Sequence, residues 1–92
     1  MISQSLYYKS DNVYRTIISR IPSLGYNVTR FDVKKREIEV RKWFFPFIKR
    51  TFNIAIMETS DTICSFSVIE NGNARPNNKH ENQLQGLIAH FF

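Results

Sequence analysis

The spacing of apolar residues divides the first third of the chain into a strand and a helix. Apolar and polar residues alternate weakly over residues 2–9, which predicts a β-strand. Ser10 or Asp11 is placed to cap the helix that follows. Because Pro22 lacks a backbone N–H, the regular helix is expected to end just before it, and Gly25 is expected to close the end with a positive φ. The apolar residues that recur every three or four positions on this helix are Val13, Tyr14, Ile17, Ile18, Ile21 and Leu24.

The middle of the chain has the period of two that is typical of β-strands. Its first segment, 26–33, places apolar residues on both faces, which predicts a β-bulge or a twisted edge strand. A tight basic turn at 34–36 leads to a second strand, in which Ile38 and Val40 share one face. The opposite face of that strand carries Glu37, Glu39 and Arg41.

Residues 43–50 are predicted to form a loop, since Pro46 would interrupt the hydrogen-bond ladder of a strand. If the alternation continues into this loop, Lys42 and Phe44 lie on the face of Ile38, and Trp43 points away from the core. Two further strands follow, with alternate apolar residues at Phe52, Ile54, Ile56, Cys64, Phe66 and Val68.

The last segment has the pattern of an amphipathic helix. Asn78 and Glu81 have the spacing of a capping box at its start. Gly86 costs the helix about 1 kcal/mol relative to alanine, and it is expected to let another element approach closely. The apolar face consists of Leu84, Leu87, Ile88 and Phe91.

The predicted order is strand, helix, four strands and helix, in a single domain spanning residues 1–92. Consecutive strands joined by short turns pair antiparallel. One apolar face per strand and one apolar stripe per helix imply two layers. The chain is therefore predicted to be an α+β domain with a five-stranded antiparallel sheet, both helices on one face and the other face open. The residues expected on the open face are Glu37, Glu39, Arg41, Asn53, Met57, Ser65 and Ser67.

A helix ending in Leu24-Gly25-Tyr26, four short strands and a closing helix from Asn78 resemble the fold of one half of the TATA-box-binding protein. Small bacterial modules share that fold, among them domains of an outer-membrane assembly lipoprotein. The resemblance covers nearly the whole chain and rests on the order of its elements. The chain lacks the second repeat of the DNA-bending protein and the lipid-anchor cysteine of the lipoprotein. The resemblance therefore implies a fold and carries over no functional residue.

Basic and aromatic residues are concentrated in residues 30–50. This segment holds eight of the thirteen basic and three of the eight acidic residues, so its net charge of +5 equals that of the whole chain. It also contains the only tryptophan and four of the eight phenylalanines. We therefore expect a partner to dock on this segment. The predicted interaction residues are Lys34, Lys35, Arg36, Arg41, Lys42, Trp43, Phe45, Phe47, Lys49 and Arg50.

The leading interpretation is a non-enzymatic protein-interaction module or small homo-oligomer, in which the aromatic residues anchor a partner and the cations steer the encounter. The alternative is a nucleic-acid binder, with cations on phosphates and Trp43 stacked on an unpaired base. Three further interpretations stay open: contact of residues 43–48 with an anionic membrane surface, a small apolar ligand between helix and sheet, and charges that only solvate the turns.

Catalysis, metal binding and cofactor binding are not predicted. His80 and His90 lack companions at metal-ligand spacing, and Cys64 lies among apolar residues, as a buried inert thiol does. Glu37 and Glu39 share a face with Arg41, which favours a cross-strand charge ladder over a catalytic carboxylate pair. No apolar run approaches the ~20 residues of a membrane span, and residues 1–12 do not resemble a signal peptide. We therefore expect a cytoplasmic protein of bacterial type.

Overall fold

The computed structural model describes residues 3–44, 48–71 and 79–92. The strands form one antiparallel sheet in the order β1-β5-β4-β3-β2. The predicted α+β class and the order of elements are confirmed, whereas the resemblance to the TATA-box-binding fold stays a prediction. The elements are β1 (Ser3–Leu6), α1 (Ser10–Arg20), a 3₁₀ turn (Ile21–Leu24), β2 (Asn27–Asp32), β3 (Glu37–Phe44), β4 (Ile48–Glu58), β5 (Cys64–Glu70) and α2 (Lys79–Ala89).

The hydrophobic core lies between the two helices and one face of the sheet. Ile17 and Ile21 contribute from the α1 region, and Leu84 and Ile88 contribute from α2, all four with no exposed surface. Burying each such side chain contributes about 1.5–3 kcal/mol. The sheet contributes the residues whose alternation predicted burial, namely Ile38, Val40, Phe52, Ile54, Ile56, Cys64, Phe66 and Val68.

The end of α1 follows its sequence signals. Regular helix stops at Arg20, and a single 3₁₀ turn containing Pro22 follows. Gly25 has a φ of 87°, and its N–H donates to the Pro22 carbonyl at 3.1 Å. A left-handed residue at this position is the usual way to stop a helix, so the predicted end is confirmed.

The predicted cap at the start of α1 is wrong. Ser10 is already the first helical residue, and the N-cap position belongs to Lys9, which makes no side-chain cap bond. The Ser10 hydroxyl instead donates to Glu58 Oε1 at 2.9 Å, and Ser10 is buried. Because this side chain faces β4, it ties the helix to the sheet rather than to its own backbone.

The bulge predicted in β2 is confirmed. Val28 pairs with Val40 and Arg30 pairs with Glu39, so Thr29 is the extra residue. The bulge restores the alternation and places Phe31 opposite Ile38. Phe31 stays 57% exposed, since β2 is an edge strand.

Gly86 and Glu81 of α2 were each given a role by the sequence, a close approach at Gly86 and a capping box that includes Glu81. A Cβ added at Gly86 would have no neighbour within 4 Å, so the predicted close approach there is wrong. The carboxylate of Glu81 accepts the backbone N–H of Glu70, at the end of β5, and thereby joins α2 to the sheet. Asn78, the other half of the predicted capping box, lies outside the described residues. In the described ranges, neither helix has the length and apolar character needed to cross a membrane.

Candidate interaction surface on the β3–β4 hairpin

The β3–β4 hairpin is longer than the sequence predicted. Residues 43, 44 and 48–50 were expected in a loop, but Trp43 pairs with Lys49 and Phe44 pairs with Ile48. That expectation is wrong for these five residues, because all of them belong to the ladder. Residues 45–47, which include the predicted site residues Phe45 and Phe47, lie outside the described residues.

The end of this hairpin extends past its neighbours in the sheet. On one side β2 pairs with β3 only as far as the Asn27–Arg41 pair. On the other side, β5 pairs with β4 only as far as the Phe52–Glu70 pair. Just beyond it, the Asn71 N–H donates to the Thr51 carbonyl at 2.8 Å. Beyond these points, residues 42–44 and 48–50 pair only with each other among the described strands. We call these six residues the arm.

One face of the arm presents an exposed tryptophan beside a cation. Trp43 is 61% exposed, as its predicted orientation away from the core requires. Lys49 is its direct cross-strand partner, and the Lys49 Nζ lies 5.8 Å from the centre of a Trp43 ring. This is a cation–π distance. An aromatic surface and a positive charge are thus offered together to solvent.

The opposite face of the arm packs against the protein. The Lys42 Nζ lies 4.8 Å from the centre of the Tyr26 ring, and Lys42 is half-buried. The guanidinium of Arg50 donates to the Glu70 carboxylate at 2.7 Å, and the two side chains are only 13% and 12% exposed. Lys42 and Arg50, both predicted to be interaction residues, therefore fix the arm to the rest of the domain.

The base of the arm also meets the start of α2. His80, in the first turn of that helix, is half-buried, and burial followed by the positive charge of Arg50 lowers its pKa. Glu81 holds the backbone N–H of Glu70, the residue whose side chain pairs with Arg50. Three elements thus converge beneath the arm and limit its movement relative to the sheet.

Arg41 sits at the junction of the arm and the open sheet face. It is half-buried, and its Nε has no hydrogen-bond partner among the described residues. The predicted charge ladder does not form around it, since Arg41 makes no ion pair with Glu37 or Glu39. Instead, Glu39 Oε1 accepts a hydrogen bond from the Thr29 hydroxyl at 2.9 Å.

The basic turn at 34–36 lies at the other end of β3. Trp43 lies six positions after Glu37, which corresponds to about 20 Å along a strand. Lys34 and Lys35 are exposed there, whereas the Arg36 guanidinium binds Asp11 Oδ1 at 3.0 Å. The structure therefore divides the predicted interaction residues into two groups rather than bringing them together.

The open face carries one apolar residue that the sequence analysis did not single out. Ile69 is 42% exposed, next to the buried Val68, and Met57 on the neighbouring strand is 67% exposed. Strand alternation beyond Val68 is the signal that would have found Ile69. Asn53 donates to Asn71 Oδ1 at 2.8 Å between these positions and the arm. The surface around the arm is thus a mixture of amides and isolated apolar groups.

The remaining titratable groups of the described residues include a buried cysteine and no cluster suited to a metal ion. Cys64 is fully buried, as predicted, and burial together with the charge of Glu58 raises its pKa. Such a thiol is a poor nucleophile. Within the described ranges, no group of three or more His, Cys, Asp or Glu side chains is placed to hold a metal ion.

No protein-family model matches this chain, and no curated protein sequence matches it either. Its function must therefore be inferred from the chemistry of the surfaces described above.

Proposed function

We propose that this protein is a non-enzymatic, cytoplasmic protein-interaction module whose binding surface is the face of the arm that bears Trp43. The exposure of this single tryptophan is the observation that carries the proposal. Tryptophan and arginine are the residues most enriched in the energetic centres of protein interfaces. Covering the exposed part of an indole contributes about 2–4 kcal/mol, which is a large share of a micromolar affinity.

The way the arm is held supports this proposal. The Arg50–Glu70 pair and the contact of Lys42 with Tyr26 restrain the side of the arm that faces the core. A restrained surface loses less conformational entropy on binding than a flexible loop does. Trp43 is thus presented in advance in an orientation that a partner can use.

Nucleic-acid binding is the second candidate, because a tryptophan next to Lys49 suits the stacking of an unpaired base. Two observations weigh against it. The basic residues are divided between the two ends of β3, and Arg36 and Arg50 already pair with carboxylates. Fewer cations are therefore available for a continuous track of phosphates.

A photoreactive aromatic amino acid placed at position 43, where its rings take the place of the indole as the apolar contact, tests the proposal in lysate of the cells from which the protein comes. Position 7 is the matched control, since Tyr7 is 80% exposed and lies away from the arm. We expect a protein adduct that forms from position 43 but not from position 7. The adduct should survive nuclease treatment. Excess wild-type protein should suppress it, while excess Trp43→Ala should not.

Two results would overturn the proposal. Adducts of equal yield from positions 43 and 7 would show that the arm has no special role in binding. Adducts from position 43 that disappear on nuclease treatment would assign the surface to nucleic acid instead.

A further inference from the structure

The arm and its junction carry positive charge without any acidic residue. Residues 41–50 include four cations and no aspartate or glutamate. Glu70 neutralises Arg50 on the face directed to the core. Arg41 and Lys49 remain on the same face as Trp43, so the exposed tryptophan is flanked by cations on both strands.

Arg41 and Trp43 lie at the spacing of alternate residues in an extended chain, and Lys49 lies beside Trp43 on the neighbouring strand. Arg41 and Trp43 are second neighbours on β3, so their side chains leave the same face about 7 Å apart. Lys49 stands directly across from Trp43 on β4. An extended segment laid over this face would present its own second neighbours at the same interval.

The guanidinium of Arg41 indicates which kind of chemical group a partner would place opposite it. Its buried Nε has no acceptor within the described part of the chain. The half-buried guanidinium of Arg41 also forms no ion pair with a carboxylate of the described residues. A carboxylate from a partner would bind the guanidinium through its outer nitrogens, and guanidinium–carboxylate hydrogen bonds are among the strongest in proteins.

We propose that the partner of the arm is an extended acidic segment of another protein. In this segment an apolar side chain packs on Trp43 and a carboxylate two residues away binds Arg41. The long side chain of Lys49, which starts beside Trp43, extends to the carboxylate at the other second neighbour. The inference rests on the proposed function and adds the chemistry of the partner to it.

A second copy of this chain does not fit the same surface. Two arms placed face to face would bring Arg41 and Lys49 of each copy close to the same cations of the other, with no carboxylate between them. Like charges brought together in an interface disfavour association. We therefore expect the protein to be monomeric at about 50 mM salt, where repulsion between charges is least screened.

The experiment is a fluorescence titration, since Trp43 is the only tryptophan. The probe is a short synthetic peptide with a central phenylalanine and glutamates at both second neighbours, and a control peptide has lysines in place of the glutamates. We expect the acidic peptide alone to change the emission of Trp43, with an affinity that weakens at higher salt. Lys49→Glu should weaken binding of the acidic peptide by about tenfold or more and favour the lysine peptide. Lys34→Glu, at the far end of β3, is the matched control and should change neither affinity.

The outcomes separate this inference from the proposed function. If neither peptide binds although the adduct at position 43 forms, the acidic-segment inference is wrong and the interaction module stands. If a single-stranded oligonucleotide changes the emission and the acidic peptide does not, both proposals fail. A dimer at low salt that Trp43→Ala dissociates would identify a second copy as the partner and overturn the inference. Equal effects of Lys49→Glu and Lys34→Glu would show that only net charge matters, which also overturns it.

Discussion

Removing the carboxylate of Glu70 tests how the arm is held. The Arg50–Glu70 ion pair has a separation of 2.7 Å, and both side chains are about seven-eighths buried. Glu70→Gln keeps the size of the side chain and removes its charge. The variant leaves the Arg50 guanidinium in the same enclosed position without the carboxylate that neutralises it.

The expected loss of stability follows from this burial. Removing one partner of a fully buried ion pair costs about 3–5 kcal/mol, whereas exposed pairs contribute about 0–1 kcal/mol. Because roughly an eighth of each side chain is in contact with water, we expect a loss of about 2–4 kcal/mol. A domain of this size has a total stability of about 5–14 kcal/mol, so the variant should remain folded.

Urea denaturation followed by circular dichroism measures this loss. The matched control is Arg36→Gln, which breaks the Arg36–Asp11 pair at 3.0 Å, where the side chains are 29% and 72% exposed. That substitution should cost less than about 1 kcal/mol. Replacing both partners, as Arg50→Met with Glu70→Leu, should cost less than Glu70→Gln alone, since no buried charge is left behind.

The reasoning would be refuted if Glu70→Gln cost no more than Arg36→Gln. In that case burial of the Arg50–Glu70 pair would not decide its contribution, and the arm would be held by its backbone pairing alone. A double replacement that is more damaging than the single one would contradict the same argument, because it would mean that the pair stabilises the fold more than apolar contacts do.

Three further predictions concern the glycines, the buried thiol and the buried tyrosines; the first and third are tested by the same denaturation measurements. Gly25→Ala should destabilise the domain by about 1 kcal/mol because a φ of 87° strains an L-residue. Gly86→Ala should stabilise it by about 1 kcal/mol because alanine has the higher helix propensity and its Cβ would meet nothing within 4 Å. A stabilising change at Gly25, or a destabilising one at Gly86, would contradict the explanation for that position. The Cys64 thiol, buried and with its pKa raised by burial and by Glu58, should react with a thiol reagent on the order of 10³-fold or more slowly in the folded than in the urea-unfolded chain. Rapid reaction of the folded chain would show that β5 opens locally. Burial raises the pKa of Tyr14 and of Tyr26, and the charge of Asp32 raises that of Tyr14 further, so the folded chain binds these two protons more tightly than the unfolded chain does. Their contribution to the free energy of unfolding should be fully present below about pH 10 and be lost as the pH rises through the folded-state pKa values. Tyr14→Phe should reduce that loss. Unchanged stability at high pH would be the contrary result.

Positions where one strong local signal acts were predicted well. Pro22 and Gly25 ended α1 because a missing N–H and a positive φ act within a single turn. The apolar residues on both faces of segment 26–33 indicated a bulge or a twisted edge, and the structure has a bulge at Thr29 on an edge strand. Trp43 was placed away from the core by alternation alone.

Two of the wrong predictions concern polar side chains for which more than one hydrogen-bond or ion-pair partner was available. Ser10 was expected to cap α1, but the acceptor that it found, Glu58, lies 48 residues away in the sequence. Arg41 was expected to join a charge ladder, and Glu39 is engaged by Thr29 across the sheet instead.

The spacing of apolar and charged residues was enough to predict the class of the fold, the order of its elements, the buried face of each strand and the location of a charged aromatic segment. These features depend on the period of the backbone and on the transfer of apolar surface from water, both of which are local properties. Which cations of that segment share a surface depends instead on how the strands and helices are assembled. An extended strand separates Lys34 from Lys49 by most of the length of the sheet, and Arg50 and Arg36 find carboxylates on other elements. Electrostatic contacts depend on distance in space, and that distance is set by strand pairing and by the packing of α2 against β5 rather than by neighbourhood along the chain.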